Sequence, residues 1–181
     1  FRIPNTFRRL FSEGTFNAAF VPLYSAELTK GKKPSQKFAN EIYNILIVGL
    51  LFLILIIEIF MPWFVLLIAP GFTENSEKLE LTIYLTRITF PFLFFISLAS
   101  FFAAILNSHN KFALSAAAPI VLNIILILIL LFGRYLNDDL VKYLAYGVTI
   151  SGIIQFLLLI WFVKNFVSLN ISLKFKLTKN V

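Results

Sequence analysis

Four long apolar stretches dominate the chain and limit what it can fold into. They lie at residues 42–69, 79–106, 112–132 and 140–167, and each is long enough to cross a bilayer as a helix. In lipid, every backbone polar group must be hydrogen-bonded within the protein, which favours helices. Hydrophobic residues make up 59% of the 181 residues, a fraction that excludes a soluble domain. The sequence therefore predicts an all-α, polytopic transmembrane helical bundle with about five membrane helices.

The boundaries of the predicted helices follow from the loops between the apolar stretches. Residues 30–37 carry four lysines, a glycine and a proline, which predicts a loop. Pro62 and Trp63 predict a kink near the far interface. The predicted helices span 5–29, 38–69, 79–106, 112–132 and 140–167, and a basic tail follows at 168–181.

The charged residues predict the orientation of the chain in the membrane. If every helix crosses once, the 30–37 loop, the 107–111 turn and the C-terminal residues from Lys164 on share one side and carry nine of the 16 Lys and Arg residues. The 70–80 and 133–142 loops carry three basic residues against five acids. The first set is therefore expected to be cytoplasmic. The net charge of +7 then reflects orientation, and no nucleic-acid partner is expected.

The opening helix at residues 5–29 differs from the others because it carries a polar face. Asn5, Arg8 and Ser12 share that face on a 3.6-residue period, and Arg9 and Glu13 are spaced to pair along the helix. Arg8 has no acid three or four residues away in either direction. A guanidinium group presents a planar fork of donors that suits phosphate oxygens. The alternative is an interfacial arginine that reaches the lipid head groups.

Three motifs, in order along the chain, give it a resemblance to a known family. Residues 3–22 read IPNTFRRLFSEGTFNAAFVP, and residues 69–72 read APGF. Residues 85–124 read LTRITFPFLFFISLASFFAAILNSHNKFALSAAAPIVLNI. These motifs resemble the MurJ/MviN family of lipid II flippases, within the multidrug/oligosaccharidyl-lipid/polysaccharide exporter superfamily. The resemblance covers essentially the whole chain.

The resemblance implies a transporter of the peptidoglycan pathway. Such proteins are alternating-access flippases with about fourteen helices in two lobes around a central cavity. The chain would be an internal fragment holding helices two to six, a partial N-terminal lobe, without the first helix and the C-terminal lobe. The intact protein would lie in the bacterial cytoplasmic (inner) membrane. Its partners would be lipid II, an undecaprenyl-diphosphate-linked precursor, and membrane lipids.

The resemblance also assigns site residues on the opening helix. Arg8 matches the first of two adjacent arginines in the family's motif, an essential arginine of the cavity. Arg9 matches the second. Asn5 and Glu13 match cavity-lining positions, and Ser12 is a further candidate. Arg9 and Glu13 have the alternative of an intrahelical ion pair. Asn5 and Ser12 could bond sugar or peptide groups of the substrate. The alternative is that their side chains cap the helix or bond its backbone.

Two charges inside the apolar runs, Glu58 and Arg87, are candidates for a structural ion pair. Intramembrane charges are functional candidates by default. Glu58 precedes the 70–80 loop and Arg87 follows it, so antiparallel helices joined by that loop would bring both to a similar depth. The alternative is that each side chain reaches the outer interface separately.

Chemistry on a cofactor or a covalent intermediate is not expected. The chain has no cysteine and a single histidine, His109, in a turn where it is expected to be solvated, and no nucleotide-binding loop. Alternatives to a lipid II flippase are an exporter of another lipid-linked oligosaccharide or drug, and a non-transporting membrane scaffold. A membrane glycosyltransferase would need supporting groups around Asp138 and Asp139, and the short loop there offers none.

Overall fold

The described part of the chain folds as a bundle of helices. The computed structural model describes residues 15–71, 76–133 and 140–169. This confirms the predicted all-α class within those ranges. The helices in them are α1 Thr15–Thr29, α2 Lys32–Ile59, α3 Met61–Ile68, α4 Ser76–Thr89, α5 Phe92–Ser108, α6 Phe112–Gly133 and α7 Leu140–Val163.

The junction between α1 and α2 is much shorter than the predicted loop at 30–37, so that prediction is wrong in its extent. Gly31 has φ 119°, a conformation that favours glycine, and it lets the chain turn at once. The amide and the hydroxyl of Ser35 both donate to the carbonyl of Gly31, at 3.3 and 3.1 Å. Pro34 lies in the first turn of α2, where its missing amide hydrogen costs no helical bond. The lysines therefore lie mostly on helix rather than in a loop.

Two of the predicted helices are each divided in two at a proline. The 38–69 segment forms α2 and α3, and the chain turns at Phe60 just before Pro62. The 79–106 segment lies within α4 and α5, which meet at a bend around Phe90 and Pro91. Each proline removes the amide hydrogen that would bond four residues back and so weakens the helix there. The bend at Pro91 is supported from α7, where the hydroxyl of Thr149 donates to the carbonyl of Ile88.

Helix α5 forms the centre of the bundle. It packs against α1, α2, α6 and α7. Its aromatic side chains meet those of the first two helices, with ring centroids of Phe101 and Phe20 at 5.1 Å and of Phe101 and Tyr43 at 5.9 Å. Offset and edge-to-face aromatic pairs of this kind stabilise a packed interior beyond the area that they bury. Helix α5 is therefore the scaffold on which the neighbouring helices are positioned.

Four helical segments of the described chain are long and apolar enough to cross a membrane: Lys32–Ile59, Ser76–Ser108 (α4 and α5 together), Phe112–Gly133 and Leu140–Val163. The most apolar window of α6 is only 6% buried, whereas that of the segment containing α5 is 72% buried. Large apolar side chains such as Ile124, Leu128 and Leu131 are exposed along α6. Such a face is suited to lipid or to other membrane helices. The chain is therefore a multi-pass membrane protein.

The turn between α5 and α6 is packed on one side, and His109 in it is half-buried, so the expectation of a solvated side chain holds only in part. The Tyr24 hydroxyl of α1 forms a hydrogen bond with Nε2 of His109 at 3.3 Å. The ring of Phe166, just after α7, lies 4.8 Å from the imidazole, centroid to centroid. The side-chain amide of Gln36 donates to the carbonyl of Ser168 at 2.8 Å. These contacts hold the ends of α1, α2, α5 and α7 together.

We expect this cluster to weaken on acidification. Burial lowers the pKa of His109 from its ordinary value of 6.5, so protonation favours the unfolded state. The stability that neutral His109 contributes is therefore fully present above pH 6.5, the ordinary pKa. It is lost as the pH falls through the lower pKa of the folded state. Thermal unfolding of the full-length protein in nanodiscs should show a small drop in Tm on acidification. His109→Gln should reduce that drop, and an equal drop in both proteins would contradict this account.

Candidate functional site

The five candidate substrate-binding residues of the opening helix, four of them assigned by the family resemblance, lie outside the described part of the chain. They are Asn5, Arg8, Arg9, Ser12 and Glu13. The described part of the same motif is the start of α1, which begins at Thr15. The structure therefore shows the helix into which the motif leads, and the five site residues stay predictions.

Helix α1 has one packed face and one open face. Phe20 and Tyr24 are fully buried, and Phe20 lies 5.9 Å from the ring of Phe38 in α2. The opposite side carries an exposed stripe: Ala19, Pro22, Leu23 and Ala26. Within the described residues, no helix covers this stripe. The open face is therefore available to a cavity or to another part of the protein.

Glu58 and Arg87 approach each other at the ends of their helices. Glu58 lies in the last turn of α2, and Arg87 lies in the last turn of α4. Arg87 is close enough to attract the Glu58 carboxylate electrostatically, and its side chain is exposed. Oε1 of Glu58 is buried and has no hydrogen-bond partner among the described residues. The two charges are therefore near each other without a direct contact, and the ion pair stays a prediction.

Charge reversal tests whether Glu58 and Arg87 depend on each other. Glu58→Arg or Arg87→Glu alone should lower the amount of folded full-length protein in the membrane several-fold, because each places like charges together in a medium of low dielectric. The double reversal should restore it, as measured by membrane immunoblotting and detergent size-exclusion profiles. Glu77→Arg, at the exposed start of α4, is the matched control and should have little effect. If the double reversal does not restore the amount of folded protein, Glu58 and Arg87 do not form an ion pair.

A polar pocket lies inside the bundle, between α1, α5, α6 and α7. It has a volume of about 180 Å³ and is partly enclosed. Apolar side chains form much of its wall, and its polar groups come from four helices: Asn17, Ser100, Asn107, Ser115 and Gln155. The Ser115 hydroxyl donates to Oδ1 of Asn107 at 2.6 Å, which links α6 to α5. The pocket therefore gathers uncharged hydrogen-bonding groups at a place where the surroundings are apolar.

Sequence reasoning missed this pocket. Its polar residues are uncharged side chains spread from residue 17 to residue 155, and nothing in their local spacing connects them. The available signal was Gln155, a glutamine near the middle of a predicted membrane helix. A polar side chain at such a depth usually faces the bundle interior and finds a partner there.

A second groove, of about 500 Å³, lies between α4, α6 and α7 and is mainly apolar. Three threonines of α4 line it, and each hydroxyl donates to a carbonyl of the same helix: Thr82, Thr86 and Thr89. With these hydroxyls bonded inside α4, the groove offers few groups that could select a polar ligand.

Comparison with known proteins agrees with the resemblance in the motifs. The family model described as "Lipid II flippase MurJ" matches residues 1–181. A probable lipid II flippase MurJ of Rickettsia prowazekii is 40% identical over 156 residues, which cover 86% of this chain and 30% of that protein. A probable lipid II flippase MurJ of Rhizobium meliloti is 42% identical over 166 residues, which cover 89% of this chain and 31% of that protein. The lipid II flippase MurJ of Burkholderia cenocepacia is 33% identical over 158 residues, covering 87% and 31%.

The chain spans about a third of the length of the curated relatives that it matches, with 30% to 35% of each covered by the first matches. The family match itself extends over every residue of the chain. The chain therefore belongs to the lipid II flippase MurJ family.

Proposed function

We propose that the intact protein containing this chain moves lipid II from the inner to the outer leaflet of the bacterial cytoplasmic membrane. The observation that carries the proposal is the family match over residues 1–181, together with four helices able to span a membrane. The related proteins of Rickettsia prowazekii and Rhizobium meliloti are named as probable lipid II flippases. Transport without covalent chemistry is the activity that this family and this fold support.

Within that protein, the chain would form part of the N-terminal lobe, helices two to six. The described helices pack around α5 as one bundle, and the face of α6 and the stripe on α1 are left open. In a two-lobe transporter, such open surfaces would face lipid, the central cavity or the remaining helices. The lysine-rich junction at residues 30–37, the 107–111 turn and the C-terminal tail would be cytoplasmic.

Arg8 would bind the diphosphate of lipid II in the cavity. The exposed stripe of α1 supports this role, because Ala19 shares a helical face with Arg8 when the 3.6-residue period is projected back along the sequence. Packed aromatic rings occupy the other side of α1, at Phe20 and Tyr24. An arginine on the open side would meet a substrate entering between the lobes. In a cavity of reduced dielectric, its contact with phosphate is stronger than in bulk water.

The other residues of the opening motif would assist Arg8. Arg9 would pair with Glu13 and reduce the repulsion between that carboxylate and an anionic substrate. Asn5 and Ser12 would bond sugar or peptide groups of the precursor. The undecaprenyl tail would stay in the bilayer, and rocking of the two lobes would move the head group from one side to the other.

Native mass spectrometry of the purified full-length protein tests substrate recognition. We expect a complex with lipid II, and a much weaker complex with undecaprenol, which has the same tail and no phosphate. Arg8→Ala should reduce the lipid II complex to the level seen with undecaprenol. Equal retention of both lipids by the unmodified protein would contradict a site selective for the diphosphate-linked head group.

A further inference from the structure

The polar pocket between α1, α5, α6 and α7 contains a hydrogen-bond donor that no described residue satisfies. Gln155 is 1% exposed and lines the pocket. Its amide nitrogen Nε2 is buried and has no hydrogen-bond partner among the described residues. Leaving such a group unbonded in an apolar interior is unfavourable, because its hydrogen bond to water is lost on folding and is not replaced. The group that completes Gln155 must therefore be an acceptor small enough to enter the pocket.

A backbone carbonyl of α6, in the opposite wall, lacks its usual helical donor. Pro119 lies inside α6 and has no amide hydrogen, so the carbonyl of Ser115 has no helical donor four residues later. Both residues line the pocket. In membrane helices, carbonyl groups freed by proline are satisfied by neighbouring side chains or by ordered water. The pocket therefore presents a donor on α7 and an acceptor on α6.

The walls of the pocket indicate a neutral occupant. Its lining includes no charged side chain among the described residues. The amide nitrogen of Gln155 would repel a cation, and an anion would find no positive charge to balance it. The hydroxyl of Ser100 is already bonded to the carbonyl of Ile96 at 2.9 Å, yet its oxygen can still accept a bond. A molecule that both donates and accepts fits this arrangement.

We propose that this pocket is an internal hydration site, in which ordered water molecules bridge Gln155 of α7 to the Ser115 carbonyl of α6. Its volume of about 180 Å³ accommodates several waters, because one water needs only about 10–15 Å³ of such volume. Buried water of this kind makes two to four bonds to polar groups that are otherwise unsatisfied. The proposal rests on described residues alone and does not depend on the transported substrate.

Radiolytic hydroxyl-radical footprinting of the full-length protein in nanodiscs tests the proposal. Radicals generated from bound water oxidise the side chains beside it even when bulk solvent cannot reach them. Phe92 and Leu159 line the pocket and are 2% and 0% exposed, and Phe90 and Leu98 are matched controls outside it at 0% and 1%. We expect Phe92 and Leu159 to be oxidised several-fold faster than the controls. Equal, low rates at all four residues would overturn the proposal and indicate a dry or protein-filled pocket.

A substitution at Gln155 then tests whether its amide group holds the ordered waters in place. Gln155→Leu removes the amide donor and adds apolar surface, so the oxidation of Phe92 and Leu159 should fall to the rate of the controls. Unchanged oxidation in this variant would overturn the assigned role of Gln155. If the variant does not fold, the comparison of Phe92 with Phe90 in the unmodified protein still decides whether the pocket is hydrated.

Discussion

Replacing Arg8 with alanine in the full-length protein is expected to abolish most transport of lipid II while leaving the protein in the membrane. A hydrogen-bonded contact to a charged group contributes about 1.5–3 kcal/mol, so its loss should slow transport about tenfold to a hundredfold. The measurement is the amount of lipid II in the outer leaflet of cells depleted of their own flippase, normalised to the amount of the variant in the membrane.

The comparison with lysine separates charge from geometry. Partial transport by Arg8→Lys would show that a positive charge suffices, whereas none would show that the planar fork of donors is required. Arg134→Ala, an arginine in the 133–142 loop, is the control and should transport normally. Full transport by Arg8→Ala would remove Arg8 from the mechanism and favour a scaffold or another substrate.

Replacing Gly152 with valine is expected to disrupt the packing of α7 on α5. A Cβ atom at Gly152 would lie 2.7 Å from Cδ2 of Phe92 and 3.3 Å from Cβ of Phe95. Neither α5 residue can move far, because Phe92 is buried in the core and the second contact is to an atom attached to the backbone. Overpacking of this kind costs about 1–3 kcal/mol and occasionally more. Small residues let membrane helices approach closely, and a branched side chain prevents it.

The matched control for this substitution is Gly49→Val in α2. A Cβ atom there meets nothing within 4 Å, and valine at that position adds apolar surface to an open helix face. We expect Gly152→Val to lower the Tm of the full-length protein and its folded yield, measured by fluorescence-detected size exclusion, whereas Gly49→Val should leave both nearly unchanged. Equal behaviour of the two variants would show that the contact between α5 and α7 is not tightly packed.

Much of the fold follows from the apolar patterning. The long hydrophobic runs predict membrane helices, and the structure has them at nearly the expected places. The breaks were harder to place, because proline residues indicate weakened helices without showing whether the chain bends or divides. At Pro62 and Pro91 it divides, and at Pro119 α6 continues through the proline. At Pro91 the bend is supported by Thr149 of α7, a contact that is not local in sequence.

The contacts of the polar residues could not be predicted in the same way. Lysines and Pro34 are typical of a loop, but Gly31 makes the turn by itself and lets α2 begin at Lys32. His109 lies in a short turn, where solvation is the usual outcome, and Tyr24 and Phe166, from distant parts of the chain, contact it and leave it half-buried. The pocket around Gln155 likewise forms only when four helices meet.

The structure describes the helix that follows the candidate site residues, but not those residues themselves. Residues 5–13 fall outside the described part, so their roles still rest on the family resemblance and on the open face of α1. For Glu58 and Arg87, the helical hairpin formed by α3 and α4 explains why the two charges come near each other. Whether they act as a pair depends on side-chain geometry that helix spacing does not determine.

The most direct test of the central claim is whether the full-length protein delivers lipid II to the outer leaflet. It would be expressed in a bacterial strain whose own flippase is depleted, and lipid II would be measured by its cleavage with an enzyme added outside the cells. We expect cleavage to return to the level of undepleted cells. Continued protection of lipid II from the enzyme, with the protein present in the membrane at normal amounts, would contradict the proposed function.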